Sequence, residues 1–393
     1  MPKRLIPLLL LLSVTGCGHP DGVMTPIPLP ASSSPISKVA MLVATTRESP
    51  GDPATLFNGS LPPKREPGTV QGPRRLPPDP ATDFAVTEVQ QIDTIAKERA
   101  WLAQHVDGGH ALVFIHGFDN TYEDSVFRPA QIVHDSKMQA TPVLFTWPTR
   151  GEITAYQHYK ESTNYSRTGL EQAHRTLAAD PNVKDITIMA PSMGTWLAMK
   201  SLRQMGIRGG QVNTKIDKVI LASPDIDIQV IAKQFMEMGE PRPKFTIFVS
   251  QDDKALAVSS FITGHVSRLG AINPAEEPYR FELEKADITA IDRTKVKTED
   301  GLNHAKFAES SPEIVQLIGQ RLMTGQTLTG SNVTLGQGIT AVVGGTVSSV
   351  GTVAATAVAA PAMIIEQPLA KRRKPVPADE TLGGDLKPQT LTQ

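Results

Sequence analysis

The chain has one cysteine, Cys17, among 393 residues. A single thiol can form no intramolecular disulfide and cannot build a thiolate zinc site. Charge of one sign is also missing: 39 Lys and Arg face 40 Asp and Glu, a net charge of −1. Phosphate-backbone binding needs a basic surface, so no nucleic acid partner is expected. Long runs of large apolar side chains are absent as well. The run from Leu5 to Val14 is too short for a resident span. The uncharged stretch 326–365 is long enough, but its apolar residues are small and broken by Gly, Thr and Ser, so a loosely ordered or self-packing tail is expected over insertion. What remains, 40% hydrophobic and 20% charged, is the composition of a globular protein.

The amino terminus reads as a secretory signal: cationic Lys3-Arg4, the apolar run, then Thr15-Gly16. Val14-Thr15-Gly16-Cys17 resembles a bacterial lipobox, in which Cys17 becomes the lipidated first residue. On that reading residues 1–16 are removed, residues 17–37 form a flexible Pro- and Ser-rich tether, and the mature chain is lipid-anchored to a membrane in the cell envelope, facing the periplasm or exterior.

Further along, short apolar runs at 38–46, 111–115, 142–147, 185–190, 218–222 and 244–250, with a weaker one at 287–292, predict strands. Between them, spacings of three and four predict helices: one from Val86 through Leu102, one carrying Val126, Ala130, Ile132 and Val133, and others at 170–179, 193–205, 228–238, 255–269 and 312–323. The Pro-, Gly- and charge-dense stretch 48–83 reads as a long surface loop or strand-edge excursion. Alternation of this kind predicts an α/β domain over 38–323, a mostly parallel sheet covered by helices on both faces. A Gly-, Ala-, Thr- and Val-rich low-complexity tail follows at 324–393.

In such a sheet, reactive groups gather at the carboxyl ends of the strands. The third of these central runs (185–190) ends in Ala190-Pro191-Ser192-Met193-Gly194 and passes at once into a helix. That is the layout of a nucleophile elbow, with Ala190 at the first small position. Serine needs a base to become nucleophilic, and its place at a helix start offers the Met193 N–H to an oxyanion. A helix N-cap is the plainer reading of Ser192. The run 111–115 leads into His116-Gly117-Phe118, where Gly117 permits a tight turn and the Phe118 N–H would complete the oxyanion hole. His116 is expected to orient this loop rather than act as base. Chain order then asks for an acid and a histidine after the serine, where only His265 and His304 remain. His265 falls inside a helical stretch and His304 in a polar loop able to reach back, so His304 is preferred. The run 244–250 ends in Gln251-Asp252-Asp253-Lys254, and Asp253 is preferred as the orienting acid because Asp252 could cap the next helix.

The segments FIHGFDNTYEDSVFRPAQIVHD, PVLFTWPTRG, YSRTGLEQ, IMAPSMGTWLAMKSLRQ, SPDIDI and VSQDDKALAVSS are similar to a bacterial group of α/β-hydrolases of unknown function, loosely described as esterase- or lipase-like. The resemblance covers about residues 38–323 and implies the α/β-hydrolase fold, with a triad at Ser192, Asp253 and His304 and the HGF loop at 116–118. The family usually carries histidine before the nucleophile, where this chain has Pro191; proline fixes φ and removes an N–H. Trp147 and Tyr156 could wall an acyl pocket and Arg150 could meet an anionic group, although packing is the plainer role for each. Asp225 and Asp227 lack a companion histidine cluster and read as helix caps, so no metal site is expected. The expected activity is an ester hydrolase on small-molecule or lipid-like substrates, without a cofactor. The rivals are a peptidase or amidase and a non-catalytic envelope protein; oligomeric state is left open.

Overall fold

Strands whose two faces are both apolar must be covered on both sides, and β4 (His110–Ile115) shows how the alternation is used. Its Ala111, Val113 and Ile115 join one core cluster, while Leu112 and Phe114 join another. Each fully buried side chain of this size contributes about 1.5–3 kcal/mol, so a one-residue slip in register would forfeit several at once. A computed structural model describes residues 24–26, 38–48, 67–69, 86–106, 108–118, 120–149, 156–296, 301–304, 340–343 and 346–349. All belong to a unit spanning Met1–Thr356.

The sheet has 11 strands. Seven are mutually parallel and run, edge to edge, β1 (Leu42–Thr45), β5 (Thr141–Thr146), β4, β6 (Asp185–Pro191), β7 (Ile216–Ala222), β8 (Lys244–Val249) and β9 (Ile288–Asp292). Beyond β1 lie antiparallel β2 (Pro67–Thr69) and β3 (Gln90–Gln91), and beyond β9 lie antiparallel β10 (Thr340–Val343) and β11 (Thr346–Ser349). On one face pack α1 (Ile95–His105), α3 (Tyr156–Ala179), α4 (Gly194–Gly209), α5 (Ile228–Met236) and α7 (Tyr279–Lys285); on the other packs α2 (Tyr122–Ser136). A further helix, α6 (Lys254–Ile262), follows β8. Among the described residues no helix is long and apolar enough to cross a membrane.

Five expectations change, the first being that the helix expected at 170–179 begins fourteen residues earlier, at Tyr156. The first helix begins at Ile95, not Val86, because Thr94 caps it: its Oγ1 accepts the Lys97 N–H at 3.2 Å and its carbonyl the Glu98 N–H at 3.0 Å. Val86 and Ile92 are buried without being helical. The helix after β8 ends at Ile262, and α7 follows where none was expected. Met24, within the expected flexible tether, is fully buried in the α2-side cluster. The sheet also continues into the expected tail: TAVV and TVSS are rich in β-branched residues, which suit a pleated edge. The proposed signal peptide, Cys17 and the helix expected at 312–323 lie outside the described residues.

Candidate active site

β6 delivers Ser192 onto a sharp turn. Its φ is +49°, the left-handed region that costs a non-glycine residue about 1–3 kcal/mol and persists only where the surroundings hold it. The holding contacts are specific. The Ser192 N–H donates to the Ala222 carbonyl at 2.8 Å, and the Ser192 carbonyl accepts from Thr195 N at 3.1 Å and Asp225 N at 3.3 Å. Small residues are obligatory here. A Cβ on Gly194 would fall 2.3 Å from the Ile115 carbonyl oxygen, and one on Gly117 would lie 3.2 Å from Ser192 Cβ. The HGF loop therefore lies directly against the serine. Pro191 costs little, since the ladder to β4 ends at Met189 and Pro191 aligns with Ala222 of β7.

The loop is held from behind. His116 is 1% exposed; its Nδ1 is 2.8 Å from the Gly117 carbonyl, and its Nε2 accepts the Trp147 N–H at 3.0 Å. The Trp147 indole N–H donates to the His116 carbonyl at 2.9 Å, and the two rings stack at 5.3 Å. Burial, with the charge of Arg47 second, keeps the His116 imidazole neutral and well below its usual pKa. Arg47, which sequence reasoning missed, is 1% exposed at the end of β1. Its guanidinium donates to Thr146 Oγ1 at 2.7 Å, the Thr149 carbonyl at 2.8 Å and the Asn120 carbonyl at 3.0 Å, tying three strand-end segments together. Burial lowers its pKa to about 10, so it stays charged at neutral pH. Its only sequence signal is a charge closing an apolar run. Tyr159 of α3, also missed, is fully buried and meets the Phe118 ring edge-on at 5.1 Å.

On the opposite side of the serine, Asp253 and His304 are joined. Asp253 Oδ2 lies 2.8 Å from His304 Nδ1, the carboxylate side chain being fully buried and the histidine 26% exposed. The two expected jobs of the aspartate pair fall on one residue: Asp253 Oδ1 also caps α6, accepting the Leu256 N–H at 3.0 Å. Asp252 is not the cap. It accepts the Ser250 hydroxyl at 2.6 Å and the Asn303 amide at 3.1 Å, so it holds the histidine's loop. Lys254 grips the same loop, through its N–H to the Leu302 carbonyl at 2.9 Å and its ammonium to the Gly301 carbonyl at 2.8 Å. The end of β7 touches both halves: Ala222 receives the Ser192 N–H, and the Ser223 hydroxyl reaches the His304 carbonyl at 3.5 Å. Asn303 and Ser223 carry positive φ values of 57° and 45°.

The remaining candidates separate. His265 is exposed after α6, not inside a helix, at φ +62°. Asp227 caps α5, accepting Gln229 N at 2.7 Å and Val230 N at 2.9 Å. Asp225 does not cap; it is buried, accepts the Ser259 hydroxyl at 2.6 Å and pairs with Arg268 at 3.3 Å. Trp147 is fully buried packing, and Arg150 and the Tyr156 side chain lie outside the described residues. Among the described residues no His, Cys, Asp and Glu group is arranged to hold a metal.

A parallel sheet with a strained strand-to-helix serine at the centre and an acid–histidine pair at later strand ends defines an α/β hydrolase. The family described as alpha/beta hydrolase of unknown function (DUF900) matches residues 94–321, more than half of the chain, and the protein belongs to it. No curated protein matches the sequence. Among solved structures, similarity is found to a candidate cell surface hydrolase from Lactobacillus plantarum WCFS1, at 10% identity and a TM-score of 0.35 over 56% of this chain and 94% of the other. Another is a lipase-esterase related protein from Clostridium acetobutylicum ATCC 824, at 12% identity and a TM-score of 0.23 over 40% and 82%. Both likenesses are remote, and neither name transfers to this chain.

Proposed function

We propose that the protein is a serine hydrolase cleaving ester bonds of small-molecule or lipid-like substrates through an acyl-enzyme. Ser192 Oγ attacks the carbonyl carbon while His304 Nε2 takes its proton. Asp253 holds the Nδ1–H tautomer and stabilises the imidazolium, and the N–H groups of Phe118 and Met193 receive the oxyanion. Collapse breaks the ester bond and expels the alcohol with the proton from His304; water, deprotonated by the same ring, then releases the acid and restores Ser192. No step calls for a metal or cofactor. His116 and Gly117 position the loop that carries the Phe118 N–H.

The observation that supports this most is the 2.8 Å pairing of a buried carboxylate with His304 Nδ1, since it directs Nε2 to act as the acceptor. The decisive experiment is labelling of the purified mature protein with a fluorophosphonate. Labelling that Ser192→Ala abolishes supports the enzyme, and a wild type that never labels makes the chain a binding scaffold. A panel of p-nitrophenyl esters of increasing chain length, set against anilides, separates esterase from amidase. The lipobox-like Val14–Cys17 further supports a lipid-anchored envelope protein. Metabolic labelling with a radioactive fatty acid should mark the wild type and not Cys17→Ser.

A further inference from the structure

Between α3 and α4 lies a cavity of about 380 Å³ whose lining includes Arg167, Lys200, Arg203, Gln204, Arg208 and Gln234. Along α4 it sits well past the serine's turn: Lys200 is six residues beyond Gly194, where the helix begins, about 9 Å of helix rise. Two of its cations are already neutralised. Arg208 pairs at 2.7 Å with Glu171, whose side chain is 2% exposed, and Arg203 pairs with Glu237. The other two are not. Arg167 makes no hydrogen bond or ion pair with any described residue, and Lys200 donates only to the neutral Asn164 carboxamide while lying 4.9 Å over the Trp196 ring. Burial, and then the neighbouring Arg167 charge, pull the Lys200 pKa down to about 8. Beside them Gln234, 6% exposed, has a carboxamide that no other described residue engages, its Oε1 being buried without a partner.

Buried polar groups are normally satisfied, and like charges placed together are normally compensated. Here both exceptions share one cavity, and an anion resolves them once the Gln234 carboxamide is turned so that Nε2, its donor, faces the ligand in place of Oε1. We propose that this cavity binds a phosphomonoester, with Arg167 and Lys200 meeting the phosphate and the Gln234 amide turning to bond it. Neither cation has an ion pair of its own, Arg167 being exposed and Lys200 opposed only by the Glu161 carboxylate from beyond ion-pair distance, so the two favour a ligand of charge near −2, which a phosphomonoester carries at neutral pH and a carboxylate does not. The planar guanidinium gives paired donors, the ammonium a point charge, and the amide a further N–H. The site is separate from the serine and does not depend on the reaction proposed there.

The test uses the full chain with three probes: inorganic phosphate, glycerol 3-phosphate, and zwitterionic vesicles with or without phosphatidic acid. Calorimetry should show saturable glycerol 3-phosphate binding that weakens at least about tenfold in Arg167→Gln/Lys200→Gln and by less in Arg167→Lys, which keeps the charge but loses the paired donors. Binding of the free phosphates supports a soluble ligand; binding only of phosphatidic acid vesicles, lost in the double variant, supports a lipid headgroup. Both side chains are accessible enough for the double variant to fold, which its melting temperature checks. No saturable binding of any probe by the wild type, or undiminished binding by the double variant, overturns the proposal.

Discussion

The two halves of the candidate site are built differently. Ser192 is enclosed by the backbones of β6, β7 and the HGF loop, with Gly194 leaving no room for a side chain and Gly117 little. His304 stands on a partly exposed loop held by polar contacts to Asp252, Asp253 and Lys254. The serine's position is therefore tied to global stability, whereas the histidine's can be disturbed while the fold stands. Substitutions on the two sides should split activity from stability in opposite ways.

The largest effect is expected at Asp253→Asn. Asparagine caps helices as well as aspartate does, so α6 should survive and the melting temperature should stay within a few degrees. The amide cannot hold the Nδ1–H tautomer, so kcat should fall by roughly three to four orders of magnitude. An Asn variant with near-wild-type turnover of an ester would remove Asp253 from the mechanism. The reverse split belongs to Gly194→Val. A branched side chain starting 2.3 Å from the Ile115 carbonyl oxygen forces the turn apart, at about 3 kcal/mol or more by urea unfolding. A stable Gly194→Val protein would mean the enclosed half is softer than its contacts suggest.

Acid should weaken the helix layer that packs behind the enclosed half, between α3 and α4. His174, fully buried between α3 and α4, lies 3.4 Å from the Ser201 hydroxyl and leaves Nε2 without a partner; burial lowers its pKa from 6.5 to about 3. The unfolded chain binds the proton below pH 6.5 and the folded chain does so only near pH 3. The stability is thus complete above pH 6.5 and is lost as pH falls from there towards 3. By pH 5 the loss is roughly 2 kcal/mol, and buried His116 adds in the same direction. His174→Gln should flatten the difference between urea midpoints at pH 8 and pH 5. An unchanged difference would assign the acid sensitivity elsewhere.

The same contrast explains what could be read in advance. The enclosed half was legible because its demands are local: short, nearly continuous apolar runs of strand length, then Ala190, Ser192 and Gly194 at fixed offsets before a helix. The boundaries that failed were decided by single side chains, as when Thr94 starts α1 nine residues after Val86. Tertiary partners were not legible. Nothing adjacent in sequence tells that Arg47 ties Asn120 to Thr149 or that Asp225 pairs with Arg268, and the Asp253–His304 pairing was expected without the α6 cap that the same carboxylate supplies. Each depends on segments far apart in the chain meeting at one end of the sheet.

The finest probe of the comparison is Asn303→Ala. Asn303 sits at φ +57° immediately before His304 and donates to Asp252 Oδ2 at 3.1 Å, so it sets the angle at which the chain presents the imidazole. Alanine removes that bond and tolerates the left-handed backbone less well than asparagine. The loop still keeps its Lys254 contacts and the Asp253 pairing. A small displacement of a catalytic base costs rate steeply while exposed loop contacts add little to stability. The expected result is about a tenfold fall in kcat with KM and melting temperature nearly unchanged, and Asn303→Gly should recover part of the loss by accepting the positive φ. If Asn303→Ala instead lowers the melting temperature as much as the rate, the histidine loop is part of the folding core and the two halves are not separate.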